Sequence, residues 1–183
     1  KIGDFERSIW AINKYISIAP DEANAYDTRG TLYARNGKID LAIESYKKAL
    51  KIKPDFWWSL SGFGNMYLFK REYVKAESCY QKLCSSTDKG TRSEGRIYLA
   101  YILLYQGKLD DALQVLDDGI GADRMEQAEG NAYKHYLKAR IYEEKKNLDL
   151  ALKEFEKCLE IYRRIYPDDK VAYRASYARL LAE

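Results

Sequence analysis

The chain has 183 residues, which is long enough to bury a core without disulfides or metals, and aromatic residues make up 14% of it, which excludes extended disorder. Its 31 Lys and Arg residues nearly balance its 28 Asp and Glu residues, and a net charge of +3 argues against a nucleic-acid-binding protein, which needs an excess of cations on one face. The longest apolar stretch, 97–105, is far shorter than the roughly 20 residues of a membrane helix, so no membrane partner is expected.

Apolar residues recur at helical spacing along the whole chain, and no segment alternates apolar and polar residues as a strand does. Asn36-Gly37 separates two helical segments, and Lys53-Pro54-Asp55 separates the second from the next, because proline is tolerated at a helix start but not inside a helix. The pattern predicts ten helices, at residues 4–19, 23–36, 39–53, 57–70, 73–86, 92–106, 109–121, 126–145, 148–166 and 170–182.

Small and aromatic residues recur at a fixed distance. Six pairs lie 34 positions apart, namely Gly3/Gly37, Pro20/Pro54, Gly30/Gly64, Tyr33/Tyr67, Ala42/Ala76 and Tyr46/Tyr80. The Gly30 series continues at Ala100 and Ala139 and the Ala42 series at Ala112 and Ala151, so the spacing grows from 34 to 36 and then to 39. Each period holds two short helices, which predicts a stack of helix pairs.

One unit reads Tyr26-x2-Arg29-Gly30-x2-Tyr33, then Ala42-x3-Tyr46 and Pro54, and it resembles the tetratricopeptide repeat, whose pattern is W-x2-L-G-x2-Y, A-x3-F and P. The departure is chiefly at Arg29. The resemblance implies an all-α fold, an α-solenoid of antiparallel helix pairs wound into a right-handed superhelix, with one array over residues 1–183. The expected parts are the second helix of a truncated repeat (1–22), repeats at 23–56, 57–90 and 91–126, a longer repeat at 127–166, and a closing helix at 167–183.

Packing roles follow from residue size. The small residues at 30, 64, 100 and 139 are expected to let each first helix approach the alanine of its partner helix. Aromatic residues such as Tyr46 and Tyr80 then fill the space between neighbouring pairs, because no single pair buries its own apolar face. Most of the 17 tyrosines are therefore expected to be scaffold.

Each first helix has one row of residues that these packing positions leave free, here called the groove row because in tetratricopeptide proteins it lines a concave groove. The four groove rows are Asn24, Asp27, Thr31, Ala34 and Arg35; Trp58, Ser61, Asn65, Leu68 and Phe69; Glu94, Ile97, Tyr101, Leu104 and Tyr105; and Tyr133, Tyr136, Arg140, Glu143 and Glu144.

Aromatic residues are frequent in the middle of the groove rows, and exposed aromatic patches mark interaction surfaces. The aromatic members have no packing role in the repeat pattern and are the predicted ligand contacts, with two polar members bonding the ligand backbone. The predicted site comprises Trp58, Asn65, Phe69, Tyr101, Tyr105, Tyr133, Tyr136 and Arg140. In the alternative, helix ends or the longer repeat cover these aromatic side chains.

The chaperone adaptors of the family bind the C-terminal carboxylate of a peptide, and this chain is not expected to do so. Asp27 and Glu94 stand where that clamp has cations, and both would repel a carboxylate. Asn65 is the only match to the clamp.

No catalytic site, metal site or cofactor is predicted. His135 is the only histidine and is expected to be a structural or surface residue, since no nucleophile is placed beside it by sequence. Cys79 and Cys84 lie five positions apart on one helix and point in different directions, which disfavours a metal pair. Three cysteines and the absence of a signal peptide lead us to expect a reducing, cytoplasmic setting.

The sequence thus predicts a non-catalytic scaffold that binds a peptide or protein segment in an aromatic groove. The alternative is a structural, self-associating or intramolecular regulatory segment of a larger protein. Apolar residues near both ends, Ile9, Ile16, Tyr173 and Leu180, are candidates for weak end-to-end association.

Overall fold

The computed structural model describes residues 2–128 and 132–167. This part of the chain contains nine helices and no strand. The helices are α1 (Ile2–Ile18), α2 (Ala23–Arg35), α3 (Ile39–Ile52), α4 (Trp57–Phe69), α5 (Tyr73–Cys84), α6 (Lys89–Tyr105), α7 (Leu109–Met125), α8 (Ala132–Glu144) and α9 (Leu148–Ile165). The all-α prediction is confirmed, and the predicted closing helix at 170–182 lies outside the described residues.

The chain divides into two compact units, residues 1–102 and 103–183. In the first unit α2 packs on α3 and α4 packs on α5, which are the predicted first and second helices of two repeats. In the second unit α8 packs on α9 as the corresponding pair. No helix of the described ranges is both long enough and apolar enough to cross a membrane.

Three helix boundaries differ from the prediction by three residues or more. Helix α6 begins at Lys89 rather than near residue 92, because the carboxylate of Asp88 accepts hydrogen bonds from Thr91 N at 2.7 Å and Thr91 Oγ1 at 2.8 Å. Helix α7 continues past Gly121 to Met125, so α8 starts at Ala132 rather than near 126. After α7 the backbone turns at Gln127, whose φ is 51°, and glutamine is not a residue type that signals such a turn in a sequence.

The turn from first to second helix is the same in all four repeats. One residue in each turn has a positive φ, namely Gly37 (72°), Arg71 (59°), Gly107 (72°) and Lys146 (57°). The N–H of the following residue donates to a carbonyl five residues back, as from Lys38 to Tyr33 at 2.9 Å and from Asn147 to Tyr142 at 2.8 Å. These four positions are separated by 34, 36 and 39 residues, so the backbone follows the period of the small residues.

Glycines of the first helices face tyrosine rings of the second helices. A Cβ on Gly30 would lie 2.7 Å from the Tyr46 ring, and one on Gly62 would lie 2.6 Å from the same ring. Tyr46 is therefore held between two consecutive first helices, and a Cβ on Gly64 would collide in the same way with Tyr80. The side chain nearest to each of these glycines is thus a tyrosine ring rather than the expected alanine, and the missing Cβ makes room for that ring.

Each unit has its own apolar core. In the first unit a cluster centred on Tyr80 and Leu83 includes Leu60, Leu68 and Ile102. In the second unit Ala139, Ala151 and Phe155 are completely buried and pack together. Tyr80, Ala139, Ala151 and Phe155 are packing positions of the repeat, so the sequence pattern locates the centre of each core correctly.

Candidate ligand-binding face

Helix α4 presents two large aromatic side chains to solvent. Trp58 is 55% exposed and Phe69 is 71% exposed. They are eleven positions apart, which is about three helical turns, so they lie on the same face of α4 about 16 Å apart along its axis. The Trp58 ring stacks on Trp57 with ring centroids 3.6 Å apart. The groove row of α4 therefore begins and ends with exposed aromatic surface.

Polar groove-row residues on α2 and α4 bond the buried tyrosines. Tyr80 donates its hydroxyl hydrogen bond to Asn65 Oδ1 at 2.8 Å, and Tyr46 and Thr31 are hydrogen-bonded through their hydroxyl groups at 3.2 Å. Asn65 and Thr31 occupy equivalent positions, as do Tyr80 and Tyr46. Asn65 thus has a structural bond that the sequence did not reveal, and its amide oxygen is already engaged.

Tyr101 differs from the prediction. It is half-buried, packs against the apolar core of the first unit and lies 6.5 Å from Tyr98, centroid to centroid. The expectation that this residue has no packing role is wrong, because its ring packs against the cluster that contains Ile102 and Leu68.

Tyr133 and Tyr136 on α8 also have packing contacts. Their rings stack with centroids 5.5 Å apart, and Tyr136 meets the buried ring of Phe155 edge-on at 5.8 Å. Both are half-buried, so the prediction that they are free of packing is wrong here too. Tyr105, by contrast, is 63% exposed in the second unit.

A cavity of about 440 Å³ opens in the second unit beside Arg140. Its walls include four groove-row residues, Leu104, Arg140, Glu143 and Glu144, together with apolar Leu137. The Arg140 guanidinium donates to Glu143 Oε2 at 2.6 Å, which holds it at the cavity edge. The groove rows of two first helices therefore line one space, with an apolar floor and a charged rim.

Asp27, the acidic residue of the first groove row, is also hydrogen-bonded within the protein. Asp27 Oδ1 accepts a hydrogen bond from Ser59 at 2.7 Å. Burial raises the pKa of Asp27, although the Ser59 bond opposes the shift. Asp27 is therefore already hydrogen-bonded within the protein, and the expectation that no carboxylate clamp forms stays a prediction.

The sequence did not predict a cluster of buried charges in the second unit. Lys134 is completely buried and paired with Asp123, which is also buried. Glu154 accepts hydrogen bonds from His135 Nδ1 at 2.6 Å and Lys157 Nζ at 2.8 Å, and Lys138 lies 3.3 Å from it. His135 is thus a structural residue, as expected. The spacing of Lys134 and Lys138, one turn apart on the buried side of α8, is the signal that could have located the cluster.

Glu154 makes stability depend on acid pH. Burial opposes its ionisation, but the hydrogen bonds from His135 and Lys157 and the charge of Lys138 outweigh burial and lower the pKa of Glu154 to about 2. The ordinary value of 4.5 applies when the chain is unfolded, so the stabilisation is complete above pH 4.5 and disappears as the pH falls toward 2. We expect the melting temperature of the wild type to exceed that of Glu154→Gln at neutral pH and the two values to converge near pH 2. A constant difference across this range would contradict the assignment.

The two buried cysteines, Cys79 and Cys158, are poor nucleophiles. Burial raises the pKa of Cys79 to about 11 and that of Cys158 to about 12, although Lys82 and a backbone hydrogen bond respectively oppose these shifts. Both thiols stay protonated at neutral pH, and a protonated thiol is a poor nucleophile.

Two family models match the chain, and both describe the tetratricopeptide repeat. One matches residues 23–56 and the other matches residues 98–170. Proteins of this family generally mediate protein–protein interaction, and neither matched model describes a catalytic family.

Two curated proteins are similar in sequence. Anaphase-promoting complex subunit 3 of Schizosaccharomyces pombe is 27% identical over 154 residues, which cover 83% of this chain and 22% of that protein. Small glutamine-rich tetratricopeptide repeat-containing protein 2 of Mycosarcoma maydis is 30% identical over 79 residues, which cover 43% of this chain and 22% of that protein. The chain spans about one fifth of the length of the curated relatives it matches.

Solved structures share the fold. TTC0263, a thermophilic TPR protein of Thermus thermophilus, superposes with a TM-score of 0.74 at 16% identity, covering 100% of this chain and 93% of that one. MamA from Desulfovibrio magneticus superposes with a TM-score of 0.63 at 15% identity, covering 92% and 89%. Since the two family models together match more than half of the residues, and the helix pairs, turns and buried tyrosines repeat with the same period, the chain belongs to the tetratricopeptide repeat family.

Proposed function

We propose that the chain is a non-catalytic docking scaffold that binds a short segment of a protein partner on its groove rows. The observation that carries this proposal is the exposed aromatic pair of α4, Trp58 and Phe69, which share one helix face. One face of the Trp58 ring stacks on Trp57, and more than half of the side chain stays open to a ligand. Burial of large aromatic surface is the usual source of binding energy at protein interfaces.

The second unit supplies a different kind of contact in this proposal. The cavity beside Arg140 has an apolar floor that fits an aliphatic side chain, while its rim carries two glutamates and one arginine. Tyr105 adds exposed aromatic surface in the same unit. The relatives support a scaffold role in outline, because one of them is by name a subunit of a complex.

Truncation of the exposed aromatic residues tests the proposal. Peptides selected from a random library against the full chain are expected to bind with affinity near micromolar, about −8 kcal/mol, because the ligand is ordered on binding. Phe69→Ala and Trp58→Ala are expected each to cost more than about 1 kcal/mol of binding, measured by calorimetry, because they remove exposed anchors. Tyr101 and Tyr136 are less suitable for this purpose, since truncation also removes core contacts.

Val74→Ala is the matched control. Val74 is an apolar side chain, 81% exposed, on the second helix α5 rather than on a groove row. Lys47→Ala on α3 serves as a charged control, whereas Lys157 is unsuitable because it is bonded to Glu154. Peptides that keep their affinity for Phe69→Ala and Trp58→Ala but lose it for Val74→Ala would place the working surface on the second helices.

Self-association is a second candidate function, favoured by the outer surface of α1. Trp10, Tyr15 and Ile18 are exposed there. Ile9 and Ile16 were expected to contribute to association between molecules. Both are half-buried, because the side of α1 that carries them faces α2. Tyr173 and Leu180 lie outside the described residues.

Sedimentation at increasing concentration tests this second candidate. If α1 mediates association, Trp10→Ser with Ile18→Ser should shift the chain toward the monomer at concentrations where the wild type associates. Phe69→Ala should leave the association unchanged. A wild type that remains monomeric at high concentration would eliminate self-association and leave the docking proposal intact.

A further inference from the structure

A cavity of about 350 Å³ in the second unit lies away from the groove rows. It opens where the last turn of α7 and the last turn of α9 meet the start of α8. Two guanidinium groups, Arg124 on α7 and Arg164 on α9, line it. Ile120 on α7 and Ile161 on α9 supply apolar walls, and Asp123, Ala128 and His135 also line the cavity.

The charges around this cavity do not cancel. Of the described residues on its walls, Asp123 alone has a carboxylate, and its charge is already balanced by the buried ammonium of Lys134. Among the residues that the structure describes, no acidic group lies within ion-pair distance of Arg124 or Arg164. Two arginines whose positions are forty residues apart in the chain therefore face one space, and the described residues that line it carry more positive than negative charge.

The wall behind the cavity is held in place. The ring of His135 is bonded through Nδ1 to Glu154 at 2.6 Å, and Glu154 is bonded in turn to Lys157. Since the ionised carboxylate can only accept, the imidazole donates this hydrogen bond. Lys138 also contacts Glu154 and pairs with Asp117 at 2.6 Å, so these acidic groups behind the wall are occupied by cations other than the two arginines.

We propose that this cavity binds an oxyanion, the carboxylate or phosphate group of an acidic side chain in a segment of a protein partner. Guanidinium groups present a planar set of donors that matches the oxygens of either anion. The apolar walls, Ile120 and Ile161, favour a peptide over a free ion, because an aliphatic residue next to the acidic one can contact them. The site is separate from the groove rows and does not depend on the docking surface proposed above.

Calorimetric titration of the full chain with short blocked peptides at low salt tests the proposal. The probes are a peptide in which phosphoserine follows leucine, the same peptide with glutamate, the same peptide with serine, and inorganic phosphate. We expect the two acidic peptides to bind at least about tenfold more tightly than the serine peptide, because hydrogen bonds between charged groups are stronger than those to a neutral hydroxyl. The ratio between phosphoserine and glutamate peptides identifies which oxyanion is preferred.

Three single variants locate the binding. Arg124→Gln and Arg164→Gln are each expected to weaken the acidic peptides by about tenfold or more. Arg163→Gln is the matched control, because Arg163 precedes Arg164 on α9 and is exposed like Arg124 and Arg164, but does not line the cavity. It should change the affinity by less than about twofold, because a charge outside the cavity makes no hydrogen bond to the bound anion. Circular dichroism of each variant verifies that α7 and α9 stay folded, so that a loss of affinity reports on the site.

Several outcomes would overturn the proposal. Equal loss for Arg163→Gln and Arg164→Gln would show diffuse attraction to a basic helix end. Inorganic phosphate that binds as tightly as the phosphopeptide would show an ion site without peptide recognition. The absence of binding by either acidic peptide would show that the arginines only complement the helix dipoles. Phe69→Ala, which disables the proposed docking face, should not alter any of these results.

Discussion

Replacing Lys134 by methionine is expected to lower the free energy of unfolding by about 3–5 kcal/mol. Lys134 is completely buried and neutralises the buried carboxylate of Asp123. Without the ammonium, that carboxylate either remains charged in a poorly solvated place or takes up a proton, and both cost free energy. Urea unfolding of the wild type and Lys134→Met, followed by circular dichroism, measures the loss.

A surface ion pair provides the control for this prediction. Lys145 Nζ lies 2.5 Å from Asp110 Oδ1, but the Asp110 side chain is 82% exposed. Lys145→Met should therefore cost less than about 1 kcal/mol. Adding Asp123→Leu to Lys134→Met should restore much of the stability, because an apolar pair of similar volume needs no compensating charge. If Lys134→Met is as mild as Lys145→Met, the buried pair does not contribute as described.

Gly64→Leu is expected to destabilise the chain by about 1–3 kcal/mol through overpacking. A Cβ at Gly64 already collides with the ring of Tyr80. That ring cannot swing away without loss, because it is completely buried, stacks on Tyr98 at 5.0 Å and is bonded to Asn65. Thermal unfolding followed by circular dichroism would show the effect as a lower melting temperature.

The same substitution at Gly121 is the control. Gly121 lies within α7, and no described atom of a neighbouring element lies within 4 Å of the position of its missing Cβ. Gly121→Leu should leave stability unchanged or raise it by up to about 1 kcal/mol, because leucine favours the helix more than glycine does. An unchanged melting temperature for Gly64→Leu would contradict the helix-pair packing.

The period of the fold could be predicted from sequence because it is fixed by residue size. A ring at Tyr46 or Tyr80 requires glycine on the facing helix, and this requirement is visible as a repeat of residue types. The positions of the first-to-second-helix turns follow the same period even where the turn residue is Arg71 or Lys146, which no turn preference would select. The glycine–tyrosine contacts and the turn positions thus indicate the same repeat boundaries independently.

The candidate site was less predictable from sequence, because a repeat pattern shows where a residue lies on its helix but not how much of its side chain is exposed to solvent. Tyr101 and Tyr136 stand at groove-row positions, yet both are half-buried and pack against the apolar cores of their units. Lys134 is charged and was therefore not expected in a core, since burial of lysine depends on a partner, Asp123, that is distant in sequence. The spacing of residues along a helix reveals neither the partial burial of these tyrosines nor the distant partner of Lys134. Trp58 and Phe69 agree with the expectation because both remain more than half exposed.

The hydrogen bonds of the buried tyrosines imply that groove-row residues are more constrained in some repeats than in others. In the first two full repeats Thr31 is hydrogen-bonded to Tyr46 and Asn65 to Tyr80. Substitution of Thr31 or Asn65 alone leaves a buried tyrosine hydroxyl without a hydrogen-bond partner, so the two members of each pair must change together. In the next two repeats the tyrosine is replaced by Leu116 and Phe155, which have no hydroxyl. A change at residue 101 or 140 therefore leaves no tyrosine hydroxyl of the second helices without its bond. Because Tyr101 also packs against the apolar core, new ligand preferences would be acquired first at residue 140.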